Sequence, residues 1–306
     1  MTIKFGRDYR LTIYPIDGTP PILVTMPTTV SFSIIRNISS NQNLMELQIY
    51  NLSKAHRNSI YKDWYQPGDA VNADGSPAVD PATGQPLGNN NIIFEAGYAN
   101  LFRIFYGHIW RASSSRDGTN IVTSLCAWDN TADIPSTQIF ETLQSGQTLG
   151  QVLQYLVSQF PNIKAGMSFN YPLVFNRPVV LNGFVWDLLK QYSNNSVYID
   201  NGKLYILRDN EVLNDTAIID DSTGILGTPR KEQSALYITT LFEPGIYVGQ
   251  QVKIQSTVSP NYNNTYKVNG IQHSGMISGA VCGKLTTTME LLAPNPIIGF
   301  TAVNQL

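Results

Sequence analysis

Only two of the 306 residues are cysteine, Cys126 and Cys282, and only three are histidine, His56, His108 and His273. Two cysteines exclude a disulfide scaffold and, with no further Cys or His pair nearby, a structural zinc site. Both sit in strand-like sequence and read as reduced core residues. The histidines are far apart, and none forms a His-x-x-x-His or Glu-x-x-His pattern that would put two ligands on one helical face. His108 falls within a strand and His273 at a turn, and both read as structural. Also missing are Gly-x-Ser-x-Gly, a phosphate-cradling Gly-x-x-x-x-Gly-Lys-Thr and Gly-x-Gly-x-x-Gly, so nucleophilic-elbow and nucleotide-loop chemistry have no sequence support.

Charge is scarce as well. Charged residues make up 14% of the chain, against about 25% in an average protein. The 20 basic residues are scattered among 22 acidic ones for a net −2, which leaves no basic stripe for reading nucleic acid by sequence. Polarity comes instead from Asn, Gln, Ser, Thr and Tyr. Such a surface costs less to desolvate than carboxylates and ammoniums, so it suits burial against other subunits. No apolar run approaches the ~20 residues that cross a bilayer, and Met1 to Arg7 has no apolar leader core; the expectation is a soluble protein made in a cytoplasm, without stable membrane insertion.

What is present is β patterning. Apolar and polar residues alternate through 91–129 in short runs broken by Gly97, by Gly107 and by the turn Arg116-Asp117-Gly118, which predicts antiparallel strands. Before it, the same rule predicts strands over 9–14, 21–25, 30–36 and 45–50. A short helix is expected over 52–64, capped by Asn51, with Leu52, Ala55, Ile60 and Trp64 on one side. Residues 66–91 carry prolines and glycines with little to bury and read as a long inserted loop. Within it, Asn72, Asp74 and Gly75 fit a calcium loop, yet Ala70 stands at the first ligand position and Pro81 at the closing one, so calcium is not expected.

A polar connector follows to Ser145. Thr148 and Gln151 fit a capping box, and Leu149, Val152, Leu153, Leu156, Val157 and Phe160 recur at helical spacing until Pro161. A second helix is predicted over 184–192 and a hairpin over 196–208, turned by Asn201-Gly202, the pair best suited to a type I′ turn. Further strands are predicted over 235–242, 251–257, 265–272 and 281–292, a set that suits a closed or half-closed barrel. Residues 294–306 read as a tail that needs a neighbour to be ordered.

Candidate acids for a glycosidase-type pair are Glu95, Glu243, Asp220 and Asp221, since such pairs need not be close in sequence; nothing in their spacing selects any of them. Asn-x-Ser/Thr sites such as Asn37 and Asn263 are expected by chance in an Asn-rich chain. No catalytic, cofactor-binding or metal residue is assigned.

Val30 to Asn37 with Leu44 to Ser53, then Phe94 to Tyr98 and Ile104 to Ile109, resemble the amino-terminal half of tail hub (baseplate hub) proteins of tailed bacteriophages. Gly183 to Tyr192, the 198–207 hairpin, Thr223 to Pro229, Thr240 to Ser256 and Tyr266 to Gly279 are similar to the second half, in the family's order. At His273 to Gly279 the Asp usual in such hubs is absent, which puts that turn in question. The resemblance implies a mainly β protein with some α (α+β): two tail-tube-like β-barrel regions, 1–130 and 216–306, with a helix-plus-hairpin domain, 131–215, between them. It implies a structural, non-enzymatic role without cofactors, as a homotrimer whose six barrels continue a sixfold tube. The partners so implied are tail tube or distal tube proteins, a central spike, and baseplate wedge or tape-measure proteins. DNA would pass non-specifically through the lumen, in a virion tail assembled in the host cytoplasm. The rival readings are a tail-associated cell-wall hydrolase and the equivalent hub of a contractile injection or secretion system.

Overall fold

The computed structural model describes residues 5–15, 19–39, 43–60, 90–129, 133–280, 283–294 and 299–306. The calcium-like register, the bulk of the 66–91 loop and Cys282 lie outside these residues. The protein is mainly β. Its first part runs β1 (Asp8–Tyr14), β2 (Ile22–Thr25), β3 (Val30–Asn37), β4 (Leu44–Tyr50), α1 (Lys54–Ile60), β5 (Asn91–Gly97), β6 (Leu101–Asp117) and β7 (Asn120–Trp128). Strict alternation makes these strands: in β3, Val30, Phe32, Ile34 and Arg36 face inward while the intervening residues are partly or fully exposed.

The middle part comprises α2 (Asp133–Ser136), β8 (Gln138–Leu143), α3 (Leu149–Ser158), β9 (Lys164–Ala165), β10 (Val179–Phe184), α4 (Val185–Ser193), β11 (Val197–Asp200) and β12 (Lys203–Ile206). The remaining strands are β13 (Glu211–Asp220), β14 (Arg230–Glu232), β15 (Ala235–Leu241), β16 (Gln250–Gln255), β17 (Thr265–Ile277), β18 (Leu285–Leu292) and β19 (Thr301–Val303). Among the described residues no helix is long and apolar enough to cross a membrane.

Fourteen of these strands form one hydrogen-bonded sheet, whose main path is β14-β15-β18-β17-β3-β4-β7-β6-β5-β1-β2. The join is β3 against β17, in register from Gly270↔Asn37 to Ile277↔Val30. The path ends at β2 and β14 do not pair with each other, so among the described residues the sheet does not close into a barrel. The buried apolar side chains gather in two clusters. One gathers Leu11, Phe32, Leu47, Phe94, Phe105 and Leu125 from the first part, with Phe242, Ile277 and Leu285 from the last. The other gathers Leu153, Leu189, Ile199 and Leu204 with Leu213, Ile254, Val268 and Met289, so the helices and the last strands bury their side chains together.

Several local expectations hold. Thr148 caps α3, its hydroxyl accepting from Gln151 N while the Gln151 side chain accepts from Thr148 N. Asn201 and Gly202 have φ of 53° and 78°, as a type I′ turn requires. Others are corrected. Helix α1 starts at Lys54, because Ser53 Oγ accepts from His56 N, while Asn51 adopts φ 59° and uses its side chain on Asn120 and Ile121 N of β7. Residues 61–64 of the predicted helix lie outside the described residues.

Gly107 does not break β6. A Cβ there would stand 2.3 Å from the Trp128 carbonyl oxygen, so the glycine permits close strand contact. The supposed connector contains β8, which pairs antiparallel with β10. Strand β13 pairs in parallel with β16 and β19, so the partner that orders the tail is the chain itself.

Candidate functional site

The most highly built polar constellation lies where the first sheet half, the middle hairpin and the last strands meet. Arg36 enters from β3, Asn43 and Asp129 side by side from the same end of the β4–β7 pair, just before β4 and just after β7, Asp200 from the end of β11, His273 from β17 and Thr287 from β18. All six are buried. Alternation explains this for Arg36: it occupies the same face as Val30, Phe32 and Ile34, so the fold carries its guanidinium inward.

Arg36 Nη1 donates to Asp200 at 3.2 and 3.4 Å, and Nη2 donates to Ile246 O at 3.1 Å. Nη2 also lies 3.1 Å from His273 Nε2. A guanidinium has no acceptor, so Nε2 accepts and the proton of neutral His273 sits on Nδ1, which donates to Thr287 Oγ1 at 2.9 Å. On the other side, Asp129 accepts from Asn43 N and Asn43 Nδ2, each at 2.7 Å, and Nδ2 also reaches Ile199 O at 3.1 Å. Asn43 thereby ties the end of β7 to β11, and Arg36 ties β3 to β11 and β17.

The electrostatics follow from one guanidinium facing two carboxylates out of water. Burial raises the pKa of Asp129 well above the carboxylate range; the Asn43 amides oppose this and the Asp200 charge adds to it. Burial also raises Asp200, with Arg36 opposing. Burial, then Arg36, push His273 well below its ordinary value, so its imidazole is neutral.

These shifts set opposite pH slopes. Between the unfolded carboxylate value of ~3.9 and its raised folded value, native Asp129 holds more proton than the unfolded chain, so stability falls as pH rises. His273 acts the other way, its contribution being lost as pH falls through about 6.5. The Asp129→Asn variant isolates the first effect. Its unfolding free energy relative to wild type should grow as pH is raised from about 4 to 7. The amide also alters one hydrogen bond to Asn43, but that offset does not depend on pH. A pH-independent difference in urea unfolding would refute the assignment.

The other sequence candidates are dispersed. His56 is exposed on α1 and His108 is half-buried in β6. His273 is not at a turn: β17 continues to Ile277, with Gly275 at φ 151° where a Cβ would stand 2.2 Å from Lys284 O. Cys126 is a half-buried free thiol in β7, its pKa raised by burial and by Glu46. Glu95 pairs with Arg10 at 2.6 Å on the surface. Glu243 N donates to Thr287 Oγ1 at 2.9 Å, beside the junction.

Asp220 accepts from Thr223 N at 3.0 Å. Asp221 accepts from Thr257 Oγ1, and from Thr257 N and Ser256 Oγ, each of these two at 2.9 Å, and these bonds, the Thr257 hydroxyl first, hold its pKa below the usual value. Asn263 is tied to Ser256 through Oδ1 and Nδ2. Among the described residues no group of three or more His, Cys, Asp or Glu is placed to hold a metal ion. The junction itself was missed from sequence, although an Arg on the apolar face of β3 was a readable signal.

Comparison with known proteins gives the fold a context. The model of the baseplate hub gp41 family matches residues 15–274. No curated protein matches the chain in sequence. Among solved structures, the tail protein of Neisseria meningitidis MC58 superposes with a TM-score of 0.58 at 12% identity, covering 96% of this chain and 98% of that one. The 43 kDa tail protein of prophage MuSo2 from Shewanella oneidensis gives 0.56 at 12% identity, covering 92% and 96%. A type VI secretion system component of E. coli, described as similar in structure to the T4 tail proteins gp27 and gp5, gives 0.54 at 11% identity over 90% and 76%. At such identities the likeness is one of fold.

Proposed function

The chain belongs to the baseplate hub gp41 family, and from that premise we propose that it builds a trimeric, pseudo-sixfold ring joining a tail tube to a central spike. Family membership gives it a structural hub role in a virion tail. In the proposed ring, residues 1–130 and 216–306 are two tube-like wall segments and 131–215 is the helix-plus-hairpin domain between them. Three copies then offer six wall segments around a lumen through which DNA leaves. Tail tube or distal tube proteins meet one face and the spike the other. Helix α1 sits at subunit or wedge contacts, and assembly takes place in the host cytoplasm.

The observation that carries this reading is the β3–β17 ladder, which fuses strands from opposite ends of the chain into one sheet. A single chain with two apolar clusters under one sheet suits two wall segments per copy. The open path ends at β2 and β14 leave strand edges available for heterologous closure between copies. A second reading, the equivalent hub of a contractile secretion system, is favoured by the fold shared with the E. coli component; neighbouring genes separate the two.

Mass photometry of the purified chain, alone and with its cognate spike, tests the ring. The expected species contains three copies of the 33.9 kDa chain, either free at three times that mass or, once the spike is added, at that mass plus the spike's. A monomer that ignores the spike at micromolar concentration would overturn it.

A further inference from the structure

The turn end of the β6–β7 ribbon shares a hollow with α1. There Ser114 faces Thr123, Ser115 faces Val122 and Arg116 faces Ile121 in register. Arg57, Ser114, Ser115, Arg116, Thr119 and Ile121 line a hollow of about 400 Å³. Two arginines from different elements and three hydroxyl-bearing residues line it, and among the described residues no carboxylate does.

Neither arginine is neutralised within the described residues. Arg57 Nε is buried with no hydrogen-bond partner there. Arg116 Nε donates to the Gly118 carbonyl at 3.1 Å, which leaves its terminal amino groups for another acceptor. Ser114 Oγ and Thr123 Oγ1 lie 3.0 Å apart and can turn a further donor outward. A buried N–H without an acceptor carries a desolvation cost that an oxyanion would remove. Two guanidiniums together with hydroxyls match a tetrahedral anion with several acceptor oxygens better than a carboxylate, which a single guanidinium satisfies.

We propose that this hollow is a binding site for a phosphate-class oxyanion, either a free phosphate or the phosphate of a nucleic-acid backbone. The site needs only α1 and the ribbon end, so it holds whether or not the ring forms.

The test uses the full-length chain at low ionic strength. One arm titrates inorganic phosphate, followed by intrinsic fluorescence and by the thermal midpoint, against a sodium chloride series of equal ionic strength. The other follows the anisotropy of a short fluorescein-labelled DNA strand. Saturable binding in at least one arm is expected, weakened roughly tenfold in Arg57→Gln and likewise in Arg116→Gln. Phosphate binding with silent DNA assigns a free anion; DNA binding displaced by phosphate assigns the backbone. Binding in neither arm, or binding that both variants retain, overturns the site. Should Arg57→Gln disturb α1, Arg116→Gln on the exposed ribbon end decides alone.

Discussion

The Arg36→Met variant is expected to lose about 3–5 kcal/mol of unfolding free energy, the cost typical of breaking a buried ion pair from one side. Arg36 is 2% exposed and is the cation facing Asp200, Ile246 O and His273 Nε2. Its removal leaves Asp200 buried without a counterion and two acceptors without donors. The loss would be more than half the stability of a domain near the low end of the usual range of about 5–15 kcal/mol. Urea unfolding measures it. A double variant, Arg36→Met with Asp200→Leu, should recover much of the loss, because a matched apolar pair has no charge to desolvate. If Arg36→Met costs under about 1 kcal/mol, or the double variant is worse than either single one, the junction is not the tie described here.

Phe242→Ala is the second large effect. Phe242 follows β15, yet it is fully buried in the apolar cluster of the first part. Its ring meets Phe32 at 6.3 Å, Tyr98 at 6.2 Å and His273 at 5.4 Å, and its carbonyl accepts from Tyr98 Oη at 3.3 Å. The cavity should cost about 3–5 kcal/mol. Because the ring belongs to one end of the chain and its contacts mostly to the other, the loss should also reduce cooperativity between them. Trp110 on β6 and Trp128 on β7 pack against each other, their rings 4.9 Å apart and tilted by 31°, while Trp186 lies in the second cluster. Single-tryptophan versions therefore report the two regions separately, and their denaturation midpoints should diverge in the Phe242→Ala background. Coincident midpoints with unchanged slope would show that Phe242 does not couple them.

Legibility in the sequence followed the range of the interactions. Where one face of a strand or helix is buried and the partner is close, the pattern was enough. Strands β1, β3 and β4, the cap at Thr148, and the Asn201-Gly202 hairpin are all written in residues within a few positions of one another. Strands β8, β13 and β19 were not, because each is short of alternating apolar residues or gains its partner from a distant or parallel strand. His273 read as a turn because Ser274 and Gly275 follow it. Gly275 is instead where β17 runs too close to Lys284 for any side chain.

The sequence by itself determined a mainly β chain poor in charge, with one capped helix and one tight hairpin, because period, capping and turn chemistry are local. Its loose motifs also pointed to the hub family. Only the tertiary structure decided that strands from opposite ends of the chain share a single open sheet, and that Arg36, Asn43, Asp129, Asp200 and His273 meet in one buried network. Those choices depend on contacts between residues 86 to 237 positions apart. There the register between β3 and β17, not any local preference, sets which polar groups face each other out of water.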